Sequence, residues 1–129
     1  MTTIVSSRAA EELLHGDLHG LDHEEAWLIY LTAHNRVIGK EMVSKGTLDQ
    51  TAVDCRTILR QALLHNAATI IILHNHPSGA SAPSNHDIFF TSKLREACVL
   101  MDIKLADHII VGEEEFYSFY DEKTYKIIS

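Results

Sequence analysis

A chain of 129 residues with 46% hydrophobic and 22% charged side chains has the balance of one globular domain, residues 1–129. That length supports a core without disulfide staples. A net charge of −7 argues against a surface that attracts polyanions, so direct nucleic-acid binding is not expected. No stretch approaches the twenty or so apolar residues of a membrane span.

The start, Met1–Ser6, lacks the basic residues and apolar run of a signal peptide. Cys55 and Cys98 fall at apolar positions of helical patterns, so a reduced, cytoplasmic protein is expected. Ser6 or Ser7 caps a short helix through Arg8–Leu14, which Gly16 and Gly20 should break. His15, His19 and His23 stand at i, i+4 and i+8, a metal-binding spacing on a helix. With two glycines inside the span, they read instead as solvated loop histidines.

Ala26–Thr32 is rich in aromatic and β-branched residues and reads as a strand. It turns at Ala33–Arg36 into a second strand, Val37–Val43, as a hairpin. Asp49 or Thr51 caps a helix to about Asn66, whose buried stripe is Cys55, Ile58, Leu59, Ala62 and Leu63. His65 suits the negative end of that helix dipole. Thr69–Leu73 is continuously apolar, as in a central strand covered on both faces. A helix over Asn85–Leu100 presents Phe90, Leu94, Ala97, Cys98 and Met101 to the core. Ile103–Val111 and Phe116–Tyr120 are strands, and Tyr125–Ile127 adds a short one. Hairpins at both ends and helical crossovers between them predict a mixed sheet with helices on its faces.

The densest chemistry lies in Leu73–Asp87, directly after the apolar strand and containing both prolines of the chain. Strand side chains alternate, so His74 and His76 emerge on one face. Pro77 and Pro83 bracket a turn into a helix whose first turn carries Ser84 and Asp87. Two imidazoles and a carboxylate with one position left open form the ligand set of a catalytic zinc site. Such a site needs a further carboxylate, not itself a ligand, to move the proton. Glu41 is the candidate, because it lies in a strand able to neighbour the one ending at His74. The alternative for Glu41 is an outward-facing charge on an edge strand. Ser84-x-x-Asp87 also reads as a helix cap, but after His-x-His-Pro the metal reading is preferred. His34, His65 and His86 read as polar surface or core residues. Asp107 and His108 are left open between support of a metal ligand and a structural hydrogen bond.

Glu41, then His74-x-His76-Pro77, six further residues and Ser84-x-x-Asp87, resembles the JAMM (MPN+/JAB) metalloprotease motif. The fuller run, with Gly46-Thr47, Asn66-Ala67-Ala68, His74–Gly79, Asp107-His108 and Val111-Gly112, is similar to the JAB domain of the RadC family. The resemblance covers about Val5 to Tyr120. It implies a three-layer α/β/α sandwich of cytidine-deaminase-like topology with a mixed central sheet. It also implies Zn2+ on His74, His76 and Asp87, Glu41 as general acid/base, and Ser84 supporting the oxyanion. The expected function is a zinc-dependent metallohydrolase, a JAMM-type metallopeptidase or isopeptidase using a Glu-activated water on a peptide or protein substrate. The alternative is a non-catalytic, zinc-stabilised partner-binding module associated with DNA repair or mobile elements. A homodimer stays open under both. Lys45–Thr51 and Gly112–Glu115 are short, which gives no support to a ubiquitin-specific role. The deaminase signature His-x-Glu with Pro-Cys-x-x-Cys is absent.

Overall fold

The structure, a computed structural model, describes residues 2–46 and 54–128. Its elements follow the order α1 (Ser7–Leu18), β1 (Glu25–Leu31), β2 (Val37–Lys45), α2 (Cys55–Leu64), β3 (Thr69–Asn75), α3 (Asn85–Leu100), β4 (Lys104–Val111), β5 (Glu115–Ser118) and β6 (Lys123–Lys126). The strands form one six-stranded sheet in the order β2-β1-β3-β4-β5-β6. Only β3 and β4 run parallel, joined by the α3 crossover, and every other pairing is antiparallel. This is the expected mixed α/β architecture.

Side-chain alternation splits the core into two layers. On one face Ala26, Leu28, Tyr30, Ile70 and Ile72 pack against Ile58 and Ala62 of α2 and Phe90, Leu94 and Cys98 of α3. On the other, Ile29, Leu31, Ile71, Leu73, Ile109 and Val111 pack against Ala10, Leu14 and Leu18 of α1. Every residue of β3 is buried, which explains its unbroken apolar run. Cys55 and Cys98 are buried free thiols, and burial pushes the Cys98 thiol up to about 11. Among the described residues no helix is long and apolar enough to cross a membrane.

Three helix expectations need correction. First, α1 does not stop before Gly16 but continues to Leu18, with Ser6 as N-cap accepting from the Ala9 amide. Ala10, Leu14 and Leu18 form a stripe at i, i+4 and i+8, and burying Leu18 outweighs the roughly 1 kcal/mol that one glycine costs inside a helix. The chain leaves the helix at His19, followed by Gly20 at φ +78°. His15 is thus a helical residue, bonded through Nδ1 to Glu11 at 2.8 Å, rather than a loop histidine. A Cβ at Gly16 would meet nothing within 4 Å. Gly16→Ala should therefore raise stability by about 0.5–1 kcal/mol, read as a higher denaturation midpoint at unchanged m-value.

Second, α2 begins at Cys55, capped by Asp54, whose side chain accepts from the Thr57 amide at 2.8 Å. The expected caps Asp49 and Thr51 lie outside the described residues. His65 closes α2 as expected, its Nδ1 on the Gln61 carbonyl at 2.8 Å. Third, Met101, expected in the core, is instead the half-exposed C-cap of α3. The α3 core face carries the polar pair Asp87 and Thr91 beside Phe90, Leu94 and Cys98.

Candidate metal centre

The end of β3 delivers His74 and His76 to the α2/α3 face, since they continue the alternation of Ile70 and Ile72. Asn75 points the other way. Its Oδ1 accepts from the Glu25 amide and its Nδ2 donates to the His23 carbonyl, both at 2.8 Å, tying the entry of β1 to the end of β3. After His76 the chain is pinned to the β4–β5 turn. The His76 amide donates to the Val111 carbonyl, the Glu113 amide to the Gly79 carbonyl, and both the amide and hydroxyl of Ser81 to Glu115 Oε2. The two Ser81 bonds hold Glu115 below the usual carboxylate range. Gly79 takes φ +97°, and a Cβ on Gly112 would collide with its carbonyl oxygen. Gly112→Ala should push this loop off the turn and cost about 1–3 kcal/mol. A thermal melt and a metal titration of the variant check both effects.

Asp87 enters from the first turn of α3. Its Oδ1 lies 3.3 Å from His74 Nε2 and its Oδ2 lies 3.2 Å from His76 Nε2. The two Nε2 atoms are 3.1 Å apart. Among the described residues this is the one group of three or more histidine, cysteine or acidic side chains able to hold a metal ion, with donor atoms all within 4.8 Å. In a tetrahedral zinc site with bonds of about 2.0–2.1 Å, neighbouring donor atoms stand roughly 3.3 Å apart. The His74–His76 edge is close to that spacing and each imidazole has one Asp87 oxygen at a similar distance, so the chemistry of the donor set suits a small divalent ion.

The cap and metal readings of Ser84-x-x-Asp87 do not exclude each other. Ser84 Oγ accepts from the Asp87 amide at 3.0 Å, and Asp87 Oδ2 accepts from the Ser84 amide at 2.9 Å, a complete capping box. The same carboxylate faces both imidazoles, so the cap sets its orientation rather than consuming it. Burial alone would raise the Asp87 pKa, but bonds to His74 and His76, with the Ser84 amide, hold it well below the carboxylate range. The His76 imidazole is raised above its usual value, first by its bond to Asp87, against burial, and further by the charge of Glu24.

Glu24 is the residue that sequence reasoning did not single out. The β1–β3 register ends with Ala26 paired to His74, and Glu24, two residues before that pair, is close enough for its charge to act on His76. Glu41 pairs with Leu28, which pairs with Ile72, so Glu41 lies two strands from β3 on the same face. Its Oε1 accepts from the Tyr30 hydroxyl at 2.6 Å and from Gln61 Nε2 at 3.0 Å. Burial first, and then the Glu41 carboxylate, push the Tyr30 phenol far above its usual range. His15, His19 and His23 do not form a second centre. His15 and His19 stack at 4.5 Å, His19 Nε2 sits on the Glu113 carbonyl, and His23 lies between Asp22 and Glu25.

Asp107 and His108, adjacent in β4, part to opposite faces. Asp107 turns to the α1 side and accepts from the His108 and Tyr120 amides and the Ser118 hydroxyl at 2.7–2.9 Å. His108 turns to the metal face, where its Nε2 lies 2.8 Å from His74 Nδ1. Asp107 thus makes structural hydrogen bonds within the sheet, while His108 contacts His74 of the candidate metal group.

Comparisons with known proteins agree with this arrangement. The model of the RadC-like JAB domain matches residues 4–125. The UPF0758 protein YeeS of Escherichia coli K12 is 42% identical over 114 residues, covering 88% of this chain and 77% of that protein. The UPF0758 protein Nmul_A2138 of Nitrosospira multiformis is 46% identical over 105 residues, covering 81% of this chain and 47% of that protein. That of Porphyromonas gingivalis is 37% identical over 121 residues, covering 93% and 53%. The chain thus spans about half the length of the last two, and none of these names states an activity. With a family match over nearly its whole length and the motif assembled in space, the chain belongs to the RadC-like JAB domain family.

Proposed function

We propose that the chain is a zinc-dependent hydrolase of amide or isopeptide bonds in a peptide or protein substrate. The observation that carries this reading is the convergence of His74 and His76, whose Nε2 atoms lie 3.1 Å apart, on Asp87, whose carboxylate faces each of them with one oxygen at 3.2–3.3 Å. When bound there, zinc supplies Lewis acidity toward a carbonyl and lowers the pKa of a water to near neutrality. The rest falls to the chain. His74, His76 and Asp87 would hold the ion with three donors, and His76, the more exposed of the two imidazoles, marks the side nearer solvent.

Two carboxylates compete for the proton-transfer role, which requires a group near the site that is not a ligand. Family resemblance favours Glu41, whereas placement favours Glu24, which precedes the end of β1 paired with His74 and acts on His76 electrostatically. Our reading gives Glu24 the role of taking a proton from the attacking water and passing it to the leaving amine. Glu41 then shapes the cleft floor with Tyr30 and Gln61. Ser84 Oγ accepts from the Asp87 amide, which leaves its hydroxyl proton to donate to the developing oxyanion.

A bulge at Val43 places Ser44 opposite Ala26, which pairs in turn with His74. The Ser44 Oγ is the one buried side-chain oxygen or nitrogen without a hydrogen-bond partner among the described residues. Ser44→Ala should stabilise the protein by about 1 kcal/mol, read as a higher melting temperature, because an unpaired hydroxyl leaves the interior. A loss of stability would instead mean that the hydroxyl already has a structural partner.

The deciding experiment is a peptide and isopeptide cleavage screen on zinc-loaded protein, with zinc measured by elemental analysis. Stoichiometric zinc with cleavage supports the proposal. Stoichiometric zinc without cleavage, together with zinc-dependent thermal stability, favours the partner-binding module. Absence of zinc from folded protein with intact histidines overturns both.

A further inference from the structure

Behind the metal site lies a buried chain of hydrogen bonds that the proposed chemistry does not use. His74 Nδ1 meets His108 Nε2 at 2.8 Å, and His108 Nδ1 meets Thr91 Oγ1 at 2.5 Å. Thr91 Oγ1 in turn lies 2.7 Å from the Asp87 carbonyl oxygen. His108 is 0% exposed and Thr91 2%. Phe119 stacks on the His108 ring at 4.7 Å with planes 9° apart, which fixes the ring from the other side. The chain leaves one metal ligand, His74, and returns to the residue that supplies another, Asp87, whose carboxylate faces His74 directly.

The direction of this chain is determined at its end. A carbonyl oxygen only accepts, so the Thr91 hydroxyl must donate to Asp87. The Thr91 oxygen must then accept from His108, so the proton of His108 sits on Nδ1. No carboxylate touches this fully buried ring, which is therefore neutral, and its Nε2 carries a lone pair. His74 must donate to that lone pair from Nδ1. Its Nε2 is then the ring nitrogen turned toward His76 and Asp87, where a metal would take the place of any proton shared with the Asp87 carboxylate.

We propose that His108 and Thr91 are positioning residues that fix the tautomer and ring orientation of His74 and lock that ring to the helical turn carrying Asp87. A metal-ligating histidine usually donates its second N–H to a carboxylate, carbonyl or water. Here a neutral imidazole takes the place of the carboxylate. It orients the ligand without adding a negative charge behind it, so the site keeps the charge of Asp87 alone. The inference rests on the reading of His74, His76 and Asp87 as a metal site, but its first test needs no metal.

That test is nitrogen-15 NMR of the histidine rings in metal-free wild-type protein. His108 should show a protonated Nδ1 and a bare Nε2, His74 should show a protonated Nδ1, and a His74 that is bare at Nδ1 overturns the proposal. The second test is zinc affinity, by competition with a chromophoric chelator. His108→Leu and Thr91→Val, each checked for fold by circular dichroism, should bind zinc about 10–100-fold more weakly. His108→Gln, whose side-chain carbonyl can accept from His74, should recover most of the loss. If the residues merely filled space, Leu and Gln would lower the melting temperature without separating in zinc affinity, and that result also overturns the proposal. Should His108→Leu not fold, Thr91→Val and the wild-type spectra still decide. Wild-type protein that binds no zinc would remove the metal reading itself, leaving the tautomer result to stand or fall separately.

Discussion

Replacing Glu24 by glutamine should leave zinc content unchanged and lower kcat on any cleavable peptide by about 10²–10⁴-fold, the usual worth of a positioned general base. The substitution keeps size and hydrogen-bonding shape and removes only the capacity to hold a proton. Glu24 is not among the donors grouped with His74, so metal retention is expected. Glu41→Gln is the matched control. It keeps a side-chain carbonyl to accept from Tyr30 or Gln61, at the cost of a weaker bond than the carboxylate makes. Its expected effect is a loss of stability of about 1 kcal/mol with kcat within tenfold of wild type. If the two variants exchange behaviours, the base is Glu41, and the site closes by a shift of its side chain away from Tyr30. Inactivity of both with zinc retained would mean that two carboxylates share the proton transfer.

Replacing His76 by alanine should abolish stoichiometric zinc and, with it, metal-dependent stabilisation. A ligand at a thousandfold excess over its dissociation constant stabilises the native state by about 4 kcal/mol, on the order of 10–15 °C in a domain of this size. Wild-type protein should show that rise on zinc addition and His76→Ala should show none. Without metal the variant should be the less stable of the two, because the buried Asp87 carboxylate loses a partner, so the comparison is each protein's own shift on zinc addition. His76 is the more exposed of the two imidazoles, with 17% of its side chain accessible against 3% for His74, and little packing is lost with it. The equivalent change at His74 would confound the result, because it would also orphan the buried His108. A His76→Ala protein that still melts higher with zinc would place the metal elsewhere.

Much of this was legible in the sequence, because the strongest signals were local. A continuous apolar run followed by His-x-His reads directly as a buried strand presenting two ligands to one face. The structure places Thr69–Asn75 at the centre of the sheet with His74 and His76 so arranged. Element order and the mixed sheet followed from the same kind of periodicity. What escaped depends on pairing between distant segments. Glu24 gains its position only through the antiparallel register of β1 on β3, which no spacing encodes. Gly16 misled because its local penalty is visible in sequence, whereas burial of Leu18 against the far side of the sheet is not. Asp107 and His108 look like a cooperating pair on paper, yet strand alternation sends them to opposite faces. Ser84 and Asp87 posed a false choice, since a carboxylate has two oxygens and four lone-pair directions.

The site is spread unevenly along the chain. His74, His76 and Asp87 fall within fourteen consecutive residues, whereas Glu24 lies fifty positions before His74. Closing the short loop costs little chain entropy, so local chain closure alone can bring the three candidate metal donors together. The proposed base is added only by the long-range pairing of β1 with β3. Under the proposed function, the metal donors therefore belong to the low-contact-order part of the fold and the base to its long-range part.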